Sequence, residues 1–404
     1  MVATKIAPTG PLRRLAAGTL TSAIGTGAWY TSWALFLTRS VGLRPAQVGV
    51  GLTVAGVLGL CAATPAGRLA DRVGAREVFA ALLLVQAAAS LAYVAVGGFA
   101  AFLAVACLGE LAGRSTGGPR NALVLGLSTA EERMAALGAL RSISHVGWAV
   151  GALVGAVVIG LDSRAAYVAM LVLNAASFAV YAGLVASVPH VDVPARSGPG
   201  VPRRVLRDPP YLTLAGLMGV LALCWAMVSS GLPLWIALHT DAPRSISAIV
   251  VVINSAAVAA FQVRVSRGIE SVGAAARGAF LSGGALAVSC VLFALTAGGG
   301  GMLVIVVLLA AGAIHVVGEL LFVAASWGLS IPLMPPDAPG EYQGVFATGE
   351  AAALMAAPIL MTTLVADWGQ PGWLVLAAIF LVPALAAAPV SRWALATRPA
   401  AAQP

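Results

Sequence analysis

Four ionisable residues stand inside long apolar runs of this sequence: Glu110, Arg114, Glu319 and Glu350. Within a bilayer each such charge costs roughly 2.5–3.5 kcal/mol, so each is a candidate for function. Glu110 and Arg114 are four residues apart, on one face of a helix and within pairing reach. Arg114 stays charged, so the pair is either a neutralised structural couple or a switch that a substrate opens. Glu319 has no basic residue within one turn, and His315 lies one turn earlier on the same face. Such an acid takes up and releases protons or attracts a cation; the alternative is a glutamate hydrogen-bonded to a neighbouring helix. Glu350 lies one to two turns into its run. Trp29 and Tyr30 offer rings that stack on flat or cationic molecules, and Trp29 is the better candidate. Trp33 and Trp235, near run ends, fit an interfacial belt.

The apolar runs must position these groups. Of 404 residues, 60% are apolar and 9% charged, against about 25% charged in a typical soluble domain. The mean hydropathy of +0.96 is that of an integral membrane protein. A membrane helix needs roughly 20 mostly apolar residues. Twelve runs qualify: 15–38, 46–66, 77–97, 99–121, 137–160, 165–187, 211–238, 246–263, 278–297, 302–330, 345–366 and 372–394. The run 302–330 is long enough to require a bend or tilt. With the N-terminus inside, basic clusters at Lys5–Arg14, Arg68–Arg76, Arg196–Arg207, Arg264–Arg277 and Arg392–Arg398 share one side. Only Arg39, Arg44, Arg164 and Arg244 fall on the other, which is the positive-inside pattern. Both termini are therefore expected on the cytoplasmic side of the cell membrane. The scattered net charge of +8 is no nucleic-acid signature. The first run is too long for the apolar core of a signal peptide. Cys61, Cys107, Cys224 and Cys290 have no metal-like spacing.

The string Gly67-Arg68-Leu69-Ala70-Asp71-Arg72-Val73-Gly74-Ala75-Arg76 separates the second and third runs. A loop this short must turn tightly, and Gly67 and Gly74 supply that freedom. It resembles the loop between helices 2 and 3 of the major facilitator superfamily, Gly-x-x-x-Asp-Arg-x-Gly-Arg-(Arg/Lys). Ala75 stands in place of the first basic residue. The halves also echo each other at an offset of about 199 residues, with Pro11 and Leu15 on Pro210 and Leu214, and Asp71-Arg72-Val73-Gly74 on Glu270-Ser271-Val272-Gly273. Parallel repeats of this kind characterise that superfamily, with a substrate site at the membrane midplane. The organisation is then a six-helix half over 1–187, a linker over 188–210 rich in proline and arginine, and a second half over 211–404.

Shorter motifs resemble the drug:proton antiporter group. Arg114 is followed four residues later by Gly118. Gly138 is followed, after eight residues, by Gly147-Trp148-Ala149-Val150-Gly151-Ala152, where that group has Gly-Pro-x-x-Gly-Gly. Gly147, Gly151 and Gly155 form a small-residue face suited to close helix packing. Pro339-Gly340-Glu341-Tyr342-Gln343-Gly344 and Gly318-Glu319 resemble segments around helices 11 and 10 of multidrug members. The resemblance implies an all-α integral membrane protein of twelve helices. It implies that Asp71 sits near the start of helix 11 as a gate, with Arg72 and Arg76 reaching Glu131 or Glu132 of the next inside loop.

Three intramembrane acids against one arginine favour protons and cations over anions. Proton-coupled efflux of an amphipathic or cationic small molecule is the expected activity. The alternatives are a symporter importing a small metabolite and a non-transporting receptor on the same fold. No Gly-x-x-x-x-Gly-Lys-(Ser/Thr) pattern supplies ATP drive, and no catalytic cluster marks an enzyme. The expected partners are substrate, protons and lipid, with a monomeric chain, no nucleic acid, no metal and no cofactor.

Overall fold

The computed structural model describes residues 10–190, 204–269, 271–336 and 338–398. Among them there is no strand, and twelve long helical segments follow one another. They are α1 (Pro11–Leu35), α2 (Pro45–Val73), α3 (Ala75–Ala92), α4 (Phe99–Leu127), α5 (Ala130–Leu161), α6 (Arg164–Ala186), α7 (Pro209–His239), α8 (Ser245–Arg267), α9 (Val272–Ala294), α10 (Gly301–Ser330), α11 (Pro339–Asp367) and α12 (Gln370–Ala396). α2 to α12 are long and apolar enough to cross a membrane. α1, diluted by glycine, serine and threonine, completes the set. The protein is an all-α, multi-pass membrane protein built from two six-helix sets.

The described residues of Met1–Gly200 and Pro335–Thr348 form one compact unit; those of Val201–Met334 and Gly349–Pro404 form the other. In the first, α1 packs on α5 and α6, α2 on α4, and α3 on α4 and α6. In the second, α7 packs on α12, α8 on α10, and α9 on α10 and α12. The same helix positions therefore pair in both sets. Glu270 and residues 191–203 of the expected linker lie outside the described residues.

Several boundaries differ from the sequence reading for identifiable reasons. α2 runs on to Val73, so Gly67 is helical and the turn into α3 is Gly74 alone, at φ 120. Only a residue without Cβ adopts that conformation cheaply. α5 begins at Ala130, not near 137, because Thr129 and Glu132 form a capping box that starts it earlier. Glu131 thereby lies in its first turn and not in a loop. α10 is a single uninterrupted helix of 30 residues. α7, read as one run, is broken at Leu223 and widens to a π-turn over Met227–Gly231. At the far end of α5, Asp162 (φ 35) accepts from the Tyr167 hydroxyl and pairs with Arg39 at 2.6 Å. Those two partners hold its carboxyl below the usual carboxylate range.

The α1–α5 seam shows why small residues recur. Methyl groups at Gly147 and Gly155 would crowd Ala23 and Thr31 of α1, and one at Gly151 would overlap the Ile24 carbonyl. Gly151→Ala is expected to force the helices apart and destabilise the protein by about 1–3 kcal/mol, the range for overpacking. Gly160→Ala on the same helix meets nothing within 4 Å and is the control. Thermal unfolding in detergent checks this: equal midpoints for the two variants would exclude the seam as a stabilising contact.

Candidate functional site

α10 carries Glu319 at 2% exposure. Gly318 before it lets α9 approach closely, since a Cβ there would lie 2.8 Å from Leu286. The Ser282 hydroxyl donates to the Gly318 carbonyl at 2.7 Å and fastens this turn to α9. On the other side, Trp225 Nε1–H of α7 donates to Glu319 Oε1 at 3.0 Å, and the Asn254 amide of α8 to Oε2 at 2.7 Å. The Trp225 ring meets Phe322, one turn on, edge to face at 5.4 Å. His315, fully buried one turn earlier, donates from Nε2 to the Cys224 carbonyl at 2.9 Å. Glu319 is thus held by side chains from two neighbouring helices. Asn254 was not singled out in the sequence; its signal is an amide between Ile253 and an alanine-rich stretch of α8. Glu350 lies partly buried on α11, beside the close approach of Gly349 to Gly219 of α7.

The first unit holds a second cluster. The two Asp71 oxygens accept from the backbone N–H groups of Gly340 and Glu341 at 2.7 and 2.8 Å. These are first-turn donors of α11, with no partner inside their own helix, at the positive end of its dipole. Glu341, 1% exposed on its side chain, pairs with Arg68 at 3.1 Å. Asn121 of α4 donates to Gln343 at 3.3 Å. Gly67 is needed here for space and not for a turn, because a methyl group would overlap the Gly340 carbonyl. Arg76 does not reach Glu131 or Glu132. It pairs with Glu77 at 2.6 Å and donates to the Val188 carbonyl at 3.0 Å. Glu132 instead caps its own helix. Arg72 lies in the last turn of α2, where a cation complements the helix dipole.

A third group lies on α1, α4 and α5. Glu110 and Arg114 pair at 3.1 Å. Trp29 is packed between Phe36 and Tyr93, with ring centroids 6.1 and 4.7 Å away, as part of an apolar cluster. Tyr30, one residue on, is 51% exposed and stacks on the half-exposed Trp148 at 5.6 Å. The exposed ring platform is therefore Tyr30 with Trp148, and Trp29 is partly buried against an apolar cluster. Gly138 sits on α5 with the seam glycines.

Residues 15–358 match the sequence profile described as Major Facilitator Superfamily. The chain belongs to the major facilitator superfamily. Solved structures of the same fold include a bacterial homologue of the iron transporter ferroportin in an outward-facing state, at 15% identity and TM-score 0.74 over 96% of this chain and 100% of that one. The human organic anion transporter MFSD10 is 18% identical, with TM-score 0.69 over 94% and 100%. The E. coli fucose:proton symporter FucP is 14% identical, with TM-score 0.68 over 95% and 98%. At these identities the likeness is one of fold. A search of curated protein sequences finds no significant match. In this major facilitator protein, Glu319, Asp71 and the Glu110–Arg114 pair therefore stand on a transporter fold.

Proposed function

We propose that this chain is a proton-coupled secondary transporter that exports amphipathic or cationic small molecules by alternating access. The observation that carries the reading is Glu319: a carboxylate at 2% exposure inside the uninterrupted α10, held by two N–H donors from neighbouring helices. An acid inside a span is costly and defaults to a functional role. In this reading Glu319 exchanges a proton, and the Glu110–Arg114 pair and the Tyr30–Trp148 platform meet the substrate. Asp71 and its grip on the start of α11 form a gate that opens and closes in each cycle. Both termini lie in the cytoplasm, following the basic clusters.

A second reading, proton-coupled uptake of a metabolite, draws on Trp148, which stands where the antiporter pattern has proline. A receptor on this fold has no use for a proton-exchanging acid. The test is transport in proteoliposomes under an imposed pH gradient, with a panel of cationic dyes and drugs. Counterflow of a dye against protons supports export. Co-movement with protons supports uptake. Flux that ignores the gradient refutes proton coupling.

A further inference from the structure

We propose that the charge on Glu319 sets the bend of α7 through Trp225, so that a proton on α10 is read as a backbone change in α7. The proposal rests on the proton-coupled reading only in taking Glu319 to change charge during transport.

α7 is soft where Trp225 sits. Its hydrogen bonds tighten to three-residue steps, from Leu223 to Val220 at 3.2 Å and from Ala226 to Leu223 at 3.0 Å. They then widen to a five-residue step, from Leu232 N–H to the Met227 carbonyl. Both patterns are weaker than the α-helical ladder, and such π-turns are where helices kink. Cys224 and Trp225 lie inside the second tight step, just ahead of the wide one. The π-turn of α7 packs on a second one, Met361–Asp367 of α11, where Gly231 gives room to the Met361 sulfur.

α10 is the opposite, an unbroken helix pinned to α9 by Ser282 on the Gly318 carbonyl and Ser289 on the Ala311 carbonyl. It holds the break of α7 at two adjacent points on one face. His315 donates to the Cys224 carbonyl, and Glu319 accepts from Trp225. Other titratable or charged groups stand on the helices packed around α10: Tyr211, Cys224 and His239 on α7, Arg277 and Cys290 on α9, and Arg264 and Arg267 in the last turn of α8. His315 and Cys224 are the ones beside the Glu319 turn.

The two donors to Glu319 respond differently to a proton. An ionised carboxylate only accepts, and here Trp225 and Asn254 each donate to one of its oxygens. Once protonated, one oxygen becomes a donor. Asn254 can rotate its amide to present a carbonyl, but Trp225 has only its N–H. Bonds to a charged acceptor are also roughly twice as strong as neutral ones. Neutralising Glu319 therefore weakens the Trp225 contact while Asn254 adapts, and the break of α7 is held less firmly to α10.

Hydrogen exchange read by mass spectrometry on the full-length protein tests this at one pH. Glu319→Gln, which mimics the protonated acid, is expected to speed exchange over residues 224–232 by about fivefold, the scale of one net hydrogen bond. Trp225→Phe is expected to do the same, and the double variant to add nothing further. Peptides from α3 should not change. Unchanged or slower exchange in Glu319→Gln, or full additivity with Trp225→Phe, would overturn the proposal. If Glu319→Gln does not fold, the wild type is compared with Trp225→Phe at about pH 5.5 and 8.5, corrected for chemical exchange. A pH response in the wild type that Trp225→Phe lacks supports the coupling, and no difference overturns it. Proton-driven transport with unresponsive amides would refute this inference and keep the function. Responsive amides with gradient-independent flux would do the reverse.

Discussion

Glu319→Gln is expected to lower pH-gradient-driven flux by about ten- to hundredfold, the factor implied by losing hydrogen bonds to a charged group worth about 1.5–3 kcal/mol. The substitution keeps the side-chain length and one acceptor oxygen, so the packing around Phe322 and Leu286 is retained. It removes the site that gains and loses a proton. Downhill equilibration of the same substrate should survive, because that needs the pathway and not the coupling. Glu319→Asp keeps the charge but shortens its reach to Trp225 and Asn254, which stand at 3.0 and 2.7 Å. It should fall between the wild type and glutamine. Gradient-driven accumulation by Glu319→Gln at the wild-type rate would remove Glu319 from the coupling step.

Gly67→Ala should be nearly as damaging, although it adds only a methyl group. At this point α2 meets the start of α11 backbone to backbone, and the methyl would overlap the Gly340 carbonyl. Overpacking of this kind costs about 1–3 kcal/mol when it can be relieved by movement. Here relief means moving the first turn of α11 away from α2. The two amide bonds to Asp71, at 2.7 and 2.8 Å, and the Arg68–Glu341 pair would go with it. Transport is expected to fall about tenfold or more if about 1.4 kcal/mol or more of this contact is lost. With the four native cysteines replaced, a single cysteine placed at Gln343, 3% exposed, should be shielded from a thiol reagent in the parent and labelled in Gly67→Ala. Gly56→Ala, with nothing within 4 Å, is the matched control. Equal labelling in both would show that the close approach at Gly67 does not hold the start of α11.

Eleven of the twelve spans were legible because apolar length decides them; α1 is a long helix but is diluted by glycine, serine and threonine. Glu319 was legible because an acid in such a run is rare. What holds Glu319 was not. Trp225 and Asn254 are separated from it by 94 and 65 residues, and only the packing of α7 and α8 on α10 brings them together. The break in α7 was legible only outside hydropathy: the run holds Ser229-Ser230-Gly231-Leu232-Pro233, and Pro233 has no N–H for the helical ladder, but an apolar-run count does not register hydrogen-bond spacing. Gly67 was misread as a turn residue for a related reason. A glycine beside charges looks like a loop, and its need for space appears only once Gly340 faces it. Trp29 and Tyr30 are neighbours in sequence that point about 100° apart on a helix, the step of a 3.6-residue turn. Periodicity offered no rule for which ring is open. Thr129-x-x-Glu132 was readable as a helix start, but hydropathy placed the boundary later.

The junction between α2 and α3 has no slack. With Gly74 as the only residue between the two helices, the chain cannot absorb a shift of α2 by paying out loop. Any displacement of α2 at the Asp71 end is handed on to the first turn of α3. That turn is tied in its own right to the segment leaving α6, through Arg76 on the Val188 carbonyl and Glu77 on His190. The Asp71 contact with the start of α11 and the exit of the chain from α6 are therefore linked as levers on one pivot, and a substitution that loosened the pivot would uncouple them without touching either.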